Sequence, residues 1–145
     1  MYKVQEIAEY VIYYAYMQGN IVTNLKLQKI LYYIQAEFLV STQKQCFLER
    51  IEAWSFGPVV PCVYMKYDIY GNSFIYPPRN DISYKFSSAD KRRIEHIVDA
   101  CSACSSSMLT ELTQRQTPWI DAYHQGKAEI TPESIRQFFI EKEDG

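Results

Sequence analysis

The chain has 145 residues, of which 48% are apolar and 22% charged, and its net charge is −2. One domain of this length can bury a real core, which argues against disorder and against dependence on disulfides. The near balance of 15 basic and 17 acidic residues argues against nucleic-acid binding by bulk charge, and no apolar run approaches a membrane span.

Lys3 to Met17 reads as the first helix. Val4, Ile7, Ala8, Val11 and Ala15 recur at helical spacing, and Gly19-Asn20 suits the left-handed stop. Tyr10, Tyr13 and Tyr14 cover another face. With Tyr2, Tyr16, Tyr32 and Tyr33 they concentrate the chain's 13 tyrosines near its start. Tyrosine is an apolar body with a polar tip, so these residues suit a core edge or a partner surface.

A second helix, capped by Thr23 or Asn24, extends to about Val40. Leu27, Ile30, Leu31, Ile34 and Phe38 form its apolar stripe, with Lys26, Lys29, Gln35 and Glu37 at other positions. A polar loop follows. Cys46 to Phe56 then alternates weakly, as in a short strand at the edge of a small sheet. Proline is well accepted in the first turn of a helix, so a third helix is predicted from Pro58 to Tyr70, closed by Gly71-Asn72.

Pro77-Pro78 breaks the next stretch, and Ile82 to Phe86 suggests another short strand. Ser87 to Asp90 resembles a capping signature for a fourth helix carrying Ile94, Ile97, Val98, Cys101 and Cys104 on one face. Met108, Leu109 and Leu112 continue a helical pattern. Pro118-Trp119 opens a short helix toward Tyr123, broken at Gly126. Thr131-Pro132-Glu133 starts the last helix, on which Ile135, Phe138 and Phe139 are apolar and Glu141 to Gly145 is expected to fray. The prediction is a mainly α fold: one compact domain over 1–145, about six to seven helices, and a small β element between helices two and three.

No pattern for chemistry stands out. Cys101-x-x-Cys104 lacks the second pair that a structural zinc site uses, and both cysteines fit a helix stripe. His96 and His124 accompany no nucleophile signature. Five glycines form no phosphate-cradling motif. Catalytic residues, metal ligands and cofactors are therefore expected to be none. Lys91-Arg92-Arg93 is the only basic run and reads first as a solvated helix face. Four cysteines without a signal-peptide pattern suggest the reducing cytoplasm.

Two longer strings are more informative: Thr23-Asn24-Leu25-Lys26-Leu27-Gln28-Lys29-Ile30-Leu31-Tyr32-Tyr33, and Ile51-Glu52-Ala53-Trp54-Ser55-Phe56-Gly57-Pro58-Val59-Val60-Pro61-Cys62-Val63-Tyr64. Tyr67, Tyr70-Gly71, Leu112-Thr113 and Thr117-Pro118-Trp119 follow. Their order and spacing resemble the Panacea domain, also described as the SocA-like or phage-associated antitoxin domain, over roughly Asn20 to Phe139. The chain departs from that pattern at Gln114, where the family often has histidine.

The resemblance implies a bacterial or prophage antitoxin that binds a toxin directly and without catalysis. The toxin is expected to be encoded by an adjacent gene. Some SocA-like members instead suggest delivery of the toxin to a protease unfoldase. An autoregulatory DNA binder rests on the basic run alone, so nucleic acid is not the expected partner. A homodimer stays open, and no membrane partner is expected. The residues assigned to partner binding are Gln28, Lys29 and Tyr32 on the second helix, with Trp54, Phe56, Gly57, Pro58 and Tyr64 around the Gly-Pro turn.

Overall fold

In the computed structural model, which describes residues 1–126 and 128–144, the chain is mainly α-helical. Its helices are α1 (Val4–Met17), α2 (Asn24–Thr42), α3 (Pro61–Lys66), α4 (Ser88–Ser102), α5 (Ser106–Gln114), α6 (Thr117–His124) and α7 (Pro132–Asp144). Strands β1 (Ile51–Trp54) and β2 (Gly57–Val59) form a hairpin between α2 and α3, and β3 (Glu129–Ile130) precedes α7.

Helix α2 is the axis of the fold. It packs against α1, α3, α4, α5, α7 and β2. Thr23 caps it, its hydroxyl accepting from the Lys26 amide at 3.3 Å. Leu27, Ile30, Leu31, Ile34 and Phe38 are buried as their spacing predicts. So are Asn24, Gln28, Lys29 and Gln35. A helix surrounded on nearly every side leaves its polar residues inside, and Asn24, Gln28 and Gln35 are paired there. Gln35 pairs with the following loop. Its carbonyl accepts from the Cys46 amide at 2.7 Å, and its amide donates to the Phe47 carbonyl at 2.9 Å.

The other caps are also local. Gly19 takes φ +83° after α1, and the Asn20 amide returns to the Ala15 carbonyl at 2.8 Å. Ser87, Ser105 and Thr131 accept from the amides of Asp90, Met108 and Ser134.

The surplus of tyrosine near the N-terminus has a structural use. The Tyr2 and Tyr14 hydroxyls donate to Asp90 and Asp99, and the Tyr10 hydroxyl donates to Glu95. These bonds fasten the N-terminal segment and α1 to successive turns of α4, while the rings pack against the core. Tyr10 is buried and Tyr13 and Tyr14 are half-buried, so this face is covered within the fold. Burial and the neighbouring carboxylate push the Tyr14 phenol up to about 12. Replacing Tyr10 by Phe should cost about 1–3 kcal/mol, because the partly buried Glu95 carboxylate loses a donor. A urea midpoint measured with an unchanged m-value checks this.

Four expectations need correction. The predicted strand is not at an edge: β1 lies between β2 and β3, pairing Ala53 with Pro58 and Ile51 with Ile130. Pro58 does not begin a helix, because Gly57 at φ +121° turns the chain back into β2. That edge strand can host a residue without an N–H. Helix α3 instead starts at Pro61, and a separate 3₁₀ turn covers Asp68–Tyr70. Ser83–Lys85 is a 3₁₀ turn rather than a strand, since Asp81 accepts from the Ser83 amide at 2.8 Å and closes the backbone locally. Finally, α7 runs to Asp144 where fraying from Glu141 was expected, and Gly145 lies outside the described residues. No helix among the described residues is long and apolar enough to cross a membrane.

Candidate functional site

Of the residues assigned to partner binding, Gln28, Lys29, Trp54, Phe56, Gly57, Pro58 and Tyr64 meet at the junction of α2, the hairpin and α3, whereas Tyr32, about one turn further along α2, meets Gln116 and Phe139. Gln28 is fully buried and acts as a clamp. Its carbonyl accepts from the Val60 amide at 2.9 Å, and its amide donates to Asn24 at 2.9 Å. Asn24 then donates to the Tyr64 carbonyl at 3.0 Å. The chain entering α3 is thus hung on α2. Tyr32 is also fully buried, and its hydroxyl donates to Gln116 at 2.7 Å.

The hairpin tip is Trp54-Ser55-Phe56-Gly57. Two side chains from other helices hold its carbonyls. The Trp119 indole of α6 donates to the Trp54 carbonyl at 2.8 Å, and Gln114 of α5 donates to the Ser55 carbonyl at 2.7 Å. Gly57 fits against α2 and α5 so closely that a Cβ there would lie 3.0 Å from the Lys29 Cε and 3.2 Å from the Thr113 hydroxyl. Gly57 and Pro58 are buried. What faces outward is aromatic. Trp54, Phe56 and Tyr64 are half-buried and pack on one another, with ring centroids 5.1 to 5.9 Å apart.

Beneath them lies Lys29, at 0% exposure. Its amine has no hydrogen-bond partner, and the Phe56 ring centroid is 5.2 Å away. Burial pushes that amine down to about 7. The structure therefore divides the assigned residues into two sets. Trp54, Phe56 and Tyr64 offer contact area, while Gln28, Lys29, Tyr32, Gly57 and Pro58 are buried.

Gln114, Thr113 and Trp119 hold or abut the turn and were not assigned by the sequence reading, although Leu112-Thr113 and Thr117-Pro118-Trp119 were among the informative strings. Other features fall elsewhere. Cys101 is buried, and burial pushes its thiol up to about 12. No group of His, Cys, Asp and Glu among the described residues could hold a metal ion. Arg93 pairs with Asp90 at 2.8 Å and lies over Phe38. A cleft lined by Phe38, Cys46, Asp90, Glu133 and Arg136 contains none of the assigned residues.

The profile of the family described as "Antitoxin SocA-like, Panacea domain" matches residues 27–120. The chain belongs to this family. The matched stretch contains most of the hairpin junction, from the α2 residues Gln28 and Lys29 to Trp119, with Asn24 just before it. The Antitoxin SocA of Caulobacter vibrioides (strain NA1000 / CB15N) is 41% identical over 54 residues. That alignment covers 37% of this chain and 29% of the Caulobacter protein, so it spans less than a third of that relative. No solved structure matches the Panacea-family chain.

Proposed function

We propose that this chain is an antitoxin that neutralises a partner toxin by binding it directly, without catalysis. The observation that carries the reading is the family match over residues 27–120, supported by the similarity to Antitoxin SocA. The geometry supplies a contact surface for that role. Large aromatic side chains with few rotatable bonds are the usual anchors of protein interfaces. Here Trp54 and Phe56 stand on a hairpin tip held by Trp119 and Gln114, and Tyr64 packs on them from α3, its carbonyl held by Asn24. A half-exposed aromatic cluster on a pinned backbone binds with little backbone ordering cost.

The test is a rescue experiment. The reading frame adjacent to this chain's gene is expressed under tight control, with and without this protein, and the protein is then recovered by a tag. Restored growth with stoichiometric co-purification is expected. Trp54→Ala should weaken co-purification at least about tenfold, in line with loss of an interface anchor, while the variant stays folded by circular dichroism. Growth restored without a complex would overturn direct binding, and a toxic neighbour that this protein cannot restrain would overturn the antitoxin reading.

A further inference from the structure

Among the described residues, two buried hydrogen-bond donors on α2 and α5 have no acceptor: the Lys29 amine and the Thr110 hydroxyl. Thr110 lies on α5, one turn before Thr113, and the Thr113 hydroxyl donates to the carbonyls of Leu109 and Thr110. A lysine amine held out of water with no partner is costly, and an apolar side chain of the same length would avoid that cost. Among the described residues no acceptor bonds the amine, and the Phe56 ring, with its centroid 5.2 Å away, is the group that faces its charge.

The cover over the amine is unequal in stiffness. The tip backbone is pinned through the Trp54 and Ser55 carbonyls. The Phe56 side chain carries no polar tether and is only half-buried, so rotation about its side-chain bonds is the cheapest opening. Turning that ring aside uncovers a cation rimmed by Trp54 and Tyr64. A carboxylate on a short apolar arm matches the opening: its oxygens accept charge-assisted bonds from the amine, and the two aromatic rings cover its stem.

We propose that Lys29 is a recognition point for a single carboxylate, closed by Phe56 in the free protein and opened to an acidic side chain of the protein partner. That the acid comes from a protein rests on the antitoxin reading; the carboxylate chemistry does not.

Phenylacetate and its neutral isostere 2-phenylacetamide separate the two. Each is titrated into the full chain labelled with nitrogen-15, following the amides of Phe56 and Gly57 and the Trp54 indole. Phenylacetate is expected to give saturable shifts in the millimolar range, and phenylacetamide none. Lys29→Met should abolish the shifts in a folded protein. Phe56→Ala, which removes the cover, should bind several-fold more tightly. Equal response to the amide, an unchanged response in Lys29→Met, or no response in both the parent and Phe56→Ala would overturn the carboxylate site. Lys29→Met that still neutralises and co-purifies with the toxin at parental strength would overturn its use by the partner. Failure of the parent protein in the rescue experiment would instead count against the antitoxin reading alone.

Discussion

Lys29→Met is expected to make the protein more stable, and the gain should shrink as pH rises. In the folded chain burial pushes the Lys29 amine down to about 7, from an ordinary value of 10.5. Between those two values the unfolded chain binds a proton that the folded chain does not. Stability therefore rises with pH across that window, by close to tenfold in the folding equilibrium per pH unit for one such group. Below about 7 both states carry the proton, and the full penalty of a charged, unpartnered amine is present. Methionine has a similar length and no charge, so it removes the penalty without opening a cavity. Expected stabilisation at pH 6 is roughly 3–5 kcal/mol, falling toward zero near pH 10. Other groups oppose the trend at the alkaline end. Burial raises the Cys101 and Cys46 thiols, so these contribute stability that is lost as pH climbs above about 9. The difference between parent and variant cancels them. Denaturant titrations of both proteins from pH 6 to 8.5 decide the matter: parallel curves would show that Lys29 has an ordinary affinity for protons and lies in a wetter place.

The same residue shows where sequence reading fails. Thr23, Ser87 and Thr131 were legible as caps because a cap bonds to an amide only a few residues away. Leu27, Ile30, Leu31, Ile34 and Phe38 were legible as a stripe because burial and spacing agree. Lys29 and Gln35 fell outside the apolar stripe, and spacing alone did not show that they are buried. Six other elements pack around α2 and leave a narrow strip at Lys26, Tyr33, Glu37, Val40 and Ser41 partly open. The converse error occurs on α5, where Met108 and Leu112 fit the apolar period yet are exposed and Thr113 is buried.

Long-range pairing was illegible for a different reason. Strand β3 contributes two residues from beyond α6, too few to show a period, and its place beside β1 makes the predicted edge strand a central one. The Gly-Pro turn was recognised, but proline alone is compatible with a helix start and with an edge strand. Only the partner strand decides between them. The assigned site divides along the same line. Residue types chosen for interface chemistry picked out Trp54, Phe56 and Tyr64, which face outward. Gln28 and Tyr32 were chosen for their place in a distinctive string, and both are spent on internal hydrogen bonds.

Gly57→Ala is the substitution expected to damage the fold most. At φ +121° an L-residue sits outside its allowed regions, a strain worth about 1–2 kcal/mol even with free space around it. Space is lacking. The added methyl lands 3.0 Å from the Lys29 Cε and 3.2 Å from the Thr113 hydroxyl. Thr113 cannot yield easily, since its hydroxyl is bonded back to the carbonyls of Leu109 and Thr110. The Lys29 chain is enclosed on the other side by its own burial in α2. Relief must come from the hairpin tip, whose retreat strains the Gln114 bond to Ser55 and the Trp119 bond to Trp54. The combined cost is expected to be roughly 3–5 kcal/mol, a large share of the stability of a domain this size. Part of it should be recoverable. In a Lys29→Ala background the closest contact disappears, so Gly57→Ala should cost at least about 1 kcal/mol less there than in the parent, a coupling read from a double-mutant cycle. Strict additivity would mean that the backbone conformation and the Thr113 contact set the cost without Lys29. A coupling of that size would place the Lys29 side chain against the turn, where the closing of the hairpin over α2 holds both the aromatic surface and the amine beneath it.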